Sequence, residues 1–330
     1  MKVNNLVKKE NIMKTRQTIL CGILAVIIAL VFTACPEDID DGEKPPAGKS
    51  VPGDNLTAKL AWVLIPGNVK SGEIYVITVN ADETIIPFTL ANVDEGNITI
   101  ILWGSGGEKF ISPSISGNLF SVGSGVTLVL DNNITLEGIS SNNNSLVRVN
   151  NGGVLEMRDG AKITGNTAST NAGGVSVGIG GTFTMNGGVI SGNTAASSTN
   201  YGGGVDTFGA FTMNGGEISG NTTVGYGGGV YVNITGGSFT MNGGEISGNT
   251  ATTRGGGVYA GGPFRIVTGK ISGSNESNES LKNKATEGAA LYVIGTAAQR
   301  GTFGDDDTWN STGTLNTTND TIMVANGALQ

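Results

Sequence analysis

Short stretches of alternating apolar and polar residues follow one another along most of this chain, and one stretch is repeated. The sequence F-T-M-N-G-G-(V or E)-I-S-G-N-T occurs at 183–194, 211–222 and 239–250. Its Phe and Met flank a Thr, so that every second side chain is apolar, as in a strand that buries one face. Successive copies begin 28 residues apart, which predicts a repeat architecture.

A second motif, Gly-Gly-Gly-Val, accompanies the copies and starts at Gly202, Gly227 and Gly255. Degenerate copies of the first motif begin at Leu155 and Phe264, as expected for the capping ends of a repeat array. Each period therefore contains three short strands, which are Gly-Gly-Val-x-Val, Phe-Thr-Met and the segment around the single Ile.

Strand-like segments also precede the repeats. They are rich in β-branched residues and are separated by Gly, Asn, Asp and Ser. The segments are 74–79, 98–102, 126–130 and 146–149. No helical period between them is long enough for a β–α–β unit, so the chain is predicted to be all-β from about residue 72.

Two arrangements of these strands are compatible with the local sequence. The Asn-Gly dipeptide favours a tight hairpin, and hence an antiparallel meander. Coils that stack in parallel and in register place each side chain on its equivalent, and this favours identical repeats. We therefore predict a parallel β-helix of nine or ten coils over 72–330, with the clearest repeats in 145–293.

Alternation within the strands predicts three internal ladders of apolar side chains and two ladders of amides at the corners. The first ladder contains Phe183, Phe211, Phe239 and Phe264, with Met185, Met213, Met241 and Ile266. The second contains Ile163, Ile190, Ile218, Ile246 and Ile271, and the third Val175, Val205, Val230, Val258 and Leu291. The amide ladders are Asn193, Asn221 and Asn249, and Asn186, Asn214 and Asn242.

A short helix is expected at the start of the body. Asp54 and Asn55 are good helix caps, apolar residues lie on one side of the segment through about Leu64, and Pro66 follows. The open end of a β-solenoid exposes core and unpaired backbone groups, so residues 54–71 are predicted to cap it.

The N-terminal residues have the pattern of an export signal. Basic residues precede an apolar run of 16 residues, Ile19–Ala34, which is shorter than the ~20 residues that span a membrane. The run ends in Phe-Thr-Ala before Cys35 and resembles the lipobox of bacterial lipoproteins. That resemblance implies removal of 1–34 and acylation of Cys35, whereas an ordinary cleaved secretory signal is the alternative. Met13 is a second candidate start.

Lipidation would attach the protein to a membrane through Cys35 without any spanning helix. This places it in a bacterial cell envelope, at the outer membrane or the cell surface. The following segment, 35–53, is acidic and contains several Pro, so it is predicted to be a flexible linker.

Composition excludes several functions. The chain has 19 Lys and Arg against 27 Asp and Glu, and it offers no basic stripe for nucleic acid. It contains no His, which removes Ser-His-Asp, Cys-His and imidazole–metal chemistry. No cofactor and no metal are expected.

The motifs F-x-x-N and G-G-G-V resemble the F-x-x-N and G-G-A-(I, L or V) motifs of polymorphic outer membrane protein repeats, with Gly in place of Ala. More broadly, residues 145–293 resemble right-handed parallel β-helix proteins of the pectin-lyase-like fold. The resemblance implies a surface-exposed protein that is adhesin-like or contacts carbohydrate.

Residues that vary between copies are the candidates for function. Between Ile163 and Thr253 the charged residues are Asp206, Glu217 and Glu245, and the two Glu form an outer row that Lys270 continues. A second outer row contains Tyr231, Tyr259 and Tyr292, which are a possible platform for sugar rings or a simple stack along the sheet. Asp305, Asp306, Asp307 and Trp309 form a candidate cation or sugar site, with a polar turn as the alternative.

The sequence thus favours a non-enzymatic, membrane-anchored surface lipoprotein that contacts a glycan or a host surface. The alternative is a polysaccharide lyase or glycoside hydrolase on the same fold, which would use acids outside the perfect repeats, since glycoside hydrolysis needs two carboxylates on one face.

Overall fold

The computed structural model describes residues 44–91, 96–197, 201–295, 298–303, 309–325 and 328–329. The predicted signal, Cys35 and the acidic residues 305–307 lie outside the described residues. Residues Pro45–Gln330 belong to one compact unit.

Three long sheets and one short sheet contain the strands. Sheet A is formed by β1 (Lys49–Ser50), β2 (Ile74–Val79), β5 (Ile98–Gly104), β8 (Val126–Leu130), β11 (Val154–Met157), β15 (Thr182–Met185), β19 (Ala210–Met213), β23 (Ser238–Met241), β27 (Phe264–Ile266), β30 (Ala298–Phe303) and β31 (Trp309–Thr314). Sheet B is formed by β3 (Glu83–Ile85), β6 (Lys109–Pro113), β9 (Ile134–Glu137), β12 (Lys162–Thr164), β16 (Val189–Ser191), β20 (Glu217–Ser219), β24 (Glu245–Ser247), β28 (Gly269–Ile271), β32 (Ile322–Ala325) and β33 (Ala328–Leu329).

The remaining two sheets complete each coil. Sheet C is formed by β4 (Phe88–Leu90), β7 (Phe120–Val122), β10 (Val147–Val149), β14 (Val175–Val177), β18 (Val205–Thr207), β22 (Val230–Val232), β26 (Val258–Ala260) and β29 (Leu291–Val293). Sheet D is formed by β13 (Thr167–Ala168), β17 (Thr194–Ala195), β21 (Thr222–Thr223) and β25 (Thr250–Ala251). The helical elements are α1 (Leu56–Val63) and a 3₁₀ turn at Glu279–Leu281.

The chain is a parallel β-solenoid, as predicted. Phe183 pairs with Phe211, Phe211 with Phe239, and equivalent strands of successive coils pair in parallel. The antiparallel meander is therefore wrong for the repeats. A hairpin would pair strands within one period, whereas here each strand pairs with its equivalent in the next coil.

The solenoid has about eight coils, one for each strand of sheet C, and not the nine or ten that we predicted. The difference lies after β30. There the chain reverses, so that β31 pairs antiparallel with β30 and β32 pairs antiparallel with β28. These strands extend the edges of existing sheets and do not form further coils.

The Phe ladder is confirmed as the centre of the core. Its four rings are at most 1% exposed and stack with centroid separations of 4.7, 4.6 and 5.1 Å. Burial of each ring contributes roughly 1.5–3 kcal/mol, and each stacked pair adds about 0.5–1.5 kcal/mol. The Ile and Val ladders are buried on the same inner side.

The amide ladder at the corner after sheet B is also confirmed, and it is longer than predicted. Asn193, Asn221 and Asn249 are fully buried, and Asn166 and Asn283 extend the row. The amide of Asn193 donates to Asn221 Oδ1 at 3.1 Å, and that of Asn221 donates to Asn249 Oδ1 at 3.0 Å. Each amide also donates to a backbone carbonyl, so buried polar groups at this corner are satisfied.

Helix α1 covers the first coils. Asn55 caps it by accepting a hydrogen bond from the Ala58 backbone at 2.8 Å, and Leu56, Leu60 and Val63 are buried in the same apolar cluster as the solenoid core. The predicted linker is ordered at one point, because β1 at Lys49–Ser50 pairs in parallel with β2. The free edge of β2 offers unpaired backbone groups that this segment satisfies.

Candidate functional site

The outer surface of sheet C carries one side chain per coil in strict register. Along the axis these are Arg148, Ser176, Asp206, Tyr231, Tyr259 and Tyr292. The inward neighbours in each strand are buried, and all are apolar except Thr207 in β18, which directs the middle residue outward. The three tyrosines that we predicted therefore lie side by side.

A second row runs beside the first. Tyr201, Tyr226, Arg254 and Glu287 each stand immediately before a glycine corner, and parallel bridges join them from coil to coil. The glycines are needed at these corners, since a Cβ on Gly228 would lie 2.4 Å from the carbonyl oxygen of Gly256. We call the five tyrosines of the two rows, Tyr201, Tyr226, Tyr231, Tyr259 and Tyr292, the tyrosine face.

The rows interlock, because Tyr201, Tyr226 and Arg254 of the second row each cover the sheet C residue of the next coil. Tyr201 stacks on Tyr231 with ring centroids 4.3 Å apart, and Tyr226 lies 5.0 Å from Tyr259. Arg254 completes the pattern, with its guanidinium carbon 4.8 Å from the ring centroid of Tyr292.

Stacking along the axis covers the ring faces. Tyr231 lies 5.1 Å from Tyr259, which lies 5.3 Å from Tyr292, with nearly parallel planes in both pairs. Tyr231 and Tyr259 are 7% and 8% exposed. The platform that we predicted therefore differs from this arrangement, because a ligand would meet the edges of the half-buried rings and not open ring faces.

Sequence reasoning missed Tyr201 and Tyr226. A signal was present, since each precedes a Gly-Gly-Gly-Val motif and the two are 25 residues, or one coil, apart. Their segment has no strand pattern of its own, and nothing in the sequence indicates that its side chains reach sheet C.

Two phenols of the face, those of Tyr231 and Tyr259, are weaker acids than an exposed tyrosine. Burial raises the pKa of Tyr231 to about 12, and burial also raises the pKa of Tyr259. These two phenols therefore remain protonated at physiological pH and can both donate and accept hydrogen bonds. The positive charge of Arg254 is paired, because its Nε donates to Glu287 Oε2 at 2.9 Å.

Asp206 is the carboxyl of the sheet C row. It is 3% exposed, and its Oδ1 atom has no hydrogen-bond partner. Burial raises its pKa from 3.8 to about 7, although Ser176, the backbone of Ala172 and Val177, and the charge of Arg148 favour the ionised form.

A groove of about 730 Å³ runs along the corner between sheets A and B. Its floor contains corner glycines such as Gly188, Gly216 and Gly244, and Glu217 and Glu245 stand in register on one wall. Lys270 continues this row as predicted, with its Nζ 3.3 Å from Glu245 and 2.7 Å from Glu276.

The other predicted site residues are not assembled by the described part of the chain. Trp309 begins β31, but Asp305, Asp306 and Asp307 lie outside the described residues, as does Cys35. Within the described ranges, no group of three or more Asp, Glu, Cys or His side chains is placed to hold a metal ion. No helix in those ranges is both long and apolar enough to cross a membrane.

Comparison with protein-family models, with curated protein sequences and with solved structures finds no significant match to this chain. The function of this protein is therefore inferred from its own residues.

Proposed function

We propose that this protein is a non-enzymatic, lipid-anchored protein of a bacterial cell surface whose solenoid binds a glycan through the tyrosine face. The observation that supports it best is the concentration of five tyrosines from neighbouring coils on one surface. Tyrosine combines an apolar ring edge with a hydroxyl, and this combination suits the mixed surface of a sugar.

The accessible members of the face define how a glycan would bind. Tyr201, Tyr226 and Tyr292 are half-buried, while the buried rings of Tyr231 and Tyr259 hold them in place. Because these rings are already stacked, little side-chain entropy is lost when a ligand binds. Their spacing follows the coil repeat of ~4.8 Å, so an extended chain that lies along the solenoid axis would contact several phenols at once.

The lipid anchor is proposed from the N-terminal sequence. Acylation at Cys35 would attach the chain to a membrane without any spanning helix. The resemblance to polymorphic outer membrane protein repeats supports the same surface location.

The glycan proposal is tested with a panel of neutral and acidic polysaccharides. The informative variant changes Tyr201, Tyr226 and Tyr292 together to Phe, which keeps the rings and removes the hydroxyls. Three lost hydrogen bonds of about 0.5–1.5 kcal/mol each predict a loss of affinity of at least tenfold. A triple Thr184→Ala, Thr212→Ala, Thr240→Ala variant on sheet A is the matched control and should bind like the wild type. Equal binding by the Phe variant, or no retained glycan, would contradict the proposal.

The anchor is tested separately. Mass spectrometry of the N-terminal peptide should find an acylated Cys35, and Cys35→Ala should move the protein from the membrane fraction to the soluble fraction. An unmodified Cys35 in membrane-free protein would exclude the anchor and leave the glycan proposal standing.

A second function, hydrolysis or lyase cleavage of a polysaccharide, is favoured by the groove between sheets A and B. Glu217 and Glu245 stand one coil apart on its wall, and paired carboxylates on one face are the machinery of glycoside hydrolysis. Turnover of any polysaccharide that is lost in both Glu217→Gln and Glu245→Gln would establish this function in place of the first.

A further inference from the structure

The corners that join sheet C to sheet A carry one apolar residue each in five successive coils. The corners lie in register, because the backbone N–H of Phe208 donates to the Val177 carbonyl oxygen at 2.7 Å and that of Ile294 donates to Ala260 at 2.9 Å. Their described residues are 178–181, 208–209, 233–237, 261–263 and 294–295. The apolar residues, which we call the apolar ridge, are Ile179, Phe208, Ile234, Pro263 and Ile294.

The ridge is open to solvent along its length. Ile179, Ile234 and Ile294 are 70%, 61% and 41% exposed. Pro263 is exposed as well, and Phe208 is half-buried. Single exposed apolar residues are ordinary on a soluble protein, but a row that continues from coil to coil marks an interaction surface. With ~4.8 Å per coil, the row extends over about 19 Å of the solenoid axis.

The polar groups of these corners are turned inward. None of the described corner residues is charged, and their polar side chains are those of Asn233 and Thr235. Thr235 donates to Asn233 Oδ1 from its backbone N–H and from its hydroxyl, both at 2.7 Å. Within the corners, Gly181 donates to the Gly178 carbonyl oxygen, and Gly237 donates to that of Asn233. Because these groups are paired inside the protein, they lose little when they leave water.

The same corner is polar in the two preceding coils. It carries Ser124 in one of them, and Asn150 and Asn151 in the other. The solenoid can therefore turn from sheet C to sheet A without an apolar residue at this corner. The fold alone does not account for the ridge.

The shape of the ridge favours a fluid partner. It is a single row of side chains on the convex edge where two sheets meet. A stable interface with a folded protein takes about 20–30 residues from each side, which is far more than one row supplies. Lipid surrounds each inserted side chain without a preformed groove. An uncharged row of apolar side chains therefore suits the boundary between headgroups and acyl chains.

We propose that the apolar ridge inserts into the surface of a membrane, with the solenoid axis lying along that surface. This goes beyond glycan binding, and it rests on the proposed lipid anchor only for the presence of a membrane nearby. Burial of each exposed Ile side chain should raise the ratio of inserted to free ridge by roughly tenfold or more. The residues of the ridge are uncharged, so insertion should not need anionic lipid.

The test places one fluorescent label at a time on the full chain. Replacement of Cys21 and Cys35 by Ala removes both cysteines, so that a new cysteine is the single labelled thiol. Ile179→Cys and Ile234→Cys carry an environment-sensitive fluorophore on the ridge. Ile115→Cys is the matched control, because Ile115 is 59% exposed at the corner between sheets B and C.

Phosphatidylcholine vesicles are the probe. With vesicles, the labels at positions 179 and 234 should emit at shorter wavelength and be protected from aqueous iodide, whereas the label at position 115 should stay accessible. Ridge labels that stay accessible on vesicle-bound protein would overturn the proposal, and so would equal protection at position 115. Protection without vesicles that grows with protein concentration would show contact with a second copy and would also overturn it.

A second set of variants tests whether the ridge inserts as a unit. A label at position 294 should lose its protection when Ile179 and Ile234 are both changed to Ser, and keep it when Ile86 and Ile115 are changed instead. These four residues are exposed, and circular dichroism checks that each variant is folded. Protection at position 294 that survives the first pair of changes, or that requires anionic lipid and is lost in high salt, would contradict insertion. Neither result depends on glycan binding or on acylation at Cys35, which are measured separately.

Discussion

Tyr201 stacks on Tyr231 with ring centroids 4.3 Å apart, although the two residues are 30 positions apart in the chain and belong to neighbouring coils. Tyr226 takes the equivalent position over Tyr259, and Arg254 over Tyr292. The same contact is thus made three times, with Tyr as the covering residue in two coils and Arg in the third. The core beneath carries the same residue in each of these coils. Residues that vary between the copies therefore occupy this surface.

Removal of the covering ring should expose the ring beneath it. We expect Tyr201→Ala to lower the free energy of unfolding by about 1–2 kcal/mol, because an aromatic pair and part of its apolar burial are lost. Tyr201→Phe should cost under about 0.5 kcal/mol. Nitration of Tyr231, followed by mass spectrometry, should be faster in the Ala variant. An unchanged nitration rate would show that Tyr201 does not cover Tyr231 in solution.

The stability of the fold should depend on the protonation of Asp206. Its folded pKa of about 7 lies above its ordinary value of 3.8, so the folded state holds the proton more tightly than the unfolded state does. Stability from this group is therefore greatest below about pH 4 and is lost as the pH rises to about 7, with a total effect of about 4 kcal/mol. Urea unfolding of Asp206→Asn should show a gain over the wild type at pH 8 that shrinks at pH 5. A constant difference between the two pH values would contradict this assignment.

The two amide ladders should contribute differently to the stability of the fold. Asn221 is fully buried, and its amide donates to the Ile190 carbonyl oxygen at 2.9 Å as well as to the next Asn. Asn214 is exposed and donates to Asn186 Oδ1 at 2.8 Å. We expect Asn221→Ala to cost about 2–4 kcal/mol, because it leaves buried polar groups unpaired, and Asn214→Ala to cost under about 1 kcal/mol. Chemical denaturation of the two variants measures both changes in the free energy of unfolding. Equal losses would contradict the expectation that the buried ladder contributes more to stability than the exposed one.

The Phe ladder should tolerate a smaller apolar residue better than a cavity. Phe239→Ala is expected to cost about 3–5 kcal/mol, since it removes a ring from between two stacked neighbours. Phe239→Leu should cost clearly less, as the degenerate copy carries Leu155 in register with Phe183. Thermal unfolding of both variants measures the difference. A Leu variant as unstable as the Ala variant would mean that ring stacking outweighs burial.

Much of the fold could be predicted because residues 28 positions apart in the repeats are strand partners, so the period gives the pairing register. Once Phe183 is equivalent to Phe211, the partners of every strand in the repeat follow, and so do the buried faces. The end of the solenoid could not be predicted in this way. Residues beyond β30 carry no repeat, and the antiparallel pairing of β32 with β28 depends on contacts between distant segments.

The candidate site was predictable only in part. Tyr231, Tyr259 and Tyr292 share one position of the repeat, so their neighbourhood follows from the register. The positions of Tyr201 and Tyr226 do not follow from the register. They depend on how the segment before each glycine corner folds back onto sheet C.

The sequence by itself determined the parallel stacking of the repeats, the identity of the internal ladders and the outward position of the tyrosines on sheet C. Identical residues at a constant period all contact their equivalents only when the coils stack in register, about 4.8 Å apart. Tertiary structure alone decided that the ring faces are covered and that Asp206 is buried beside them. Those properties depend on side chains from different coils that meet at the surface. The repeat period determines where each of these residues lies along its strand, but it does not determine which side chains contact one another.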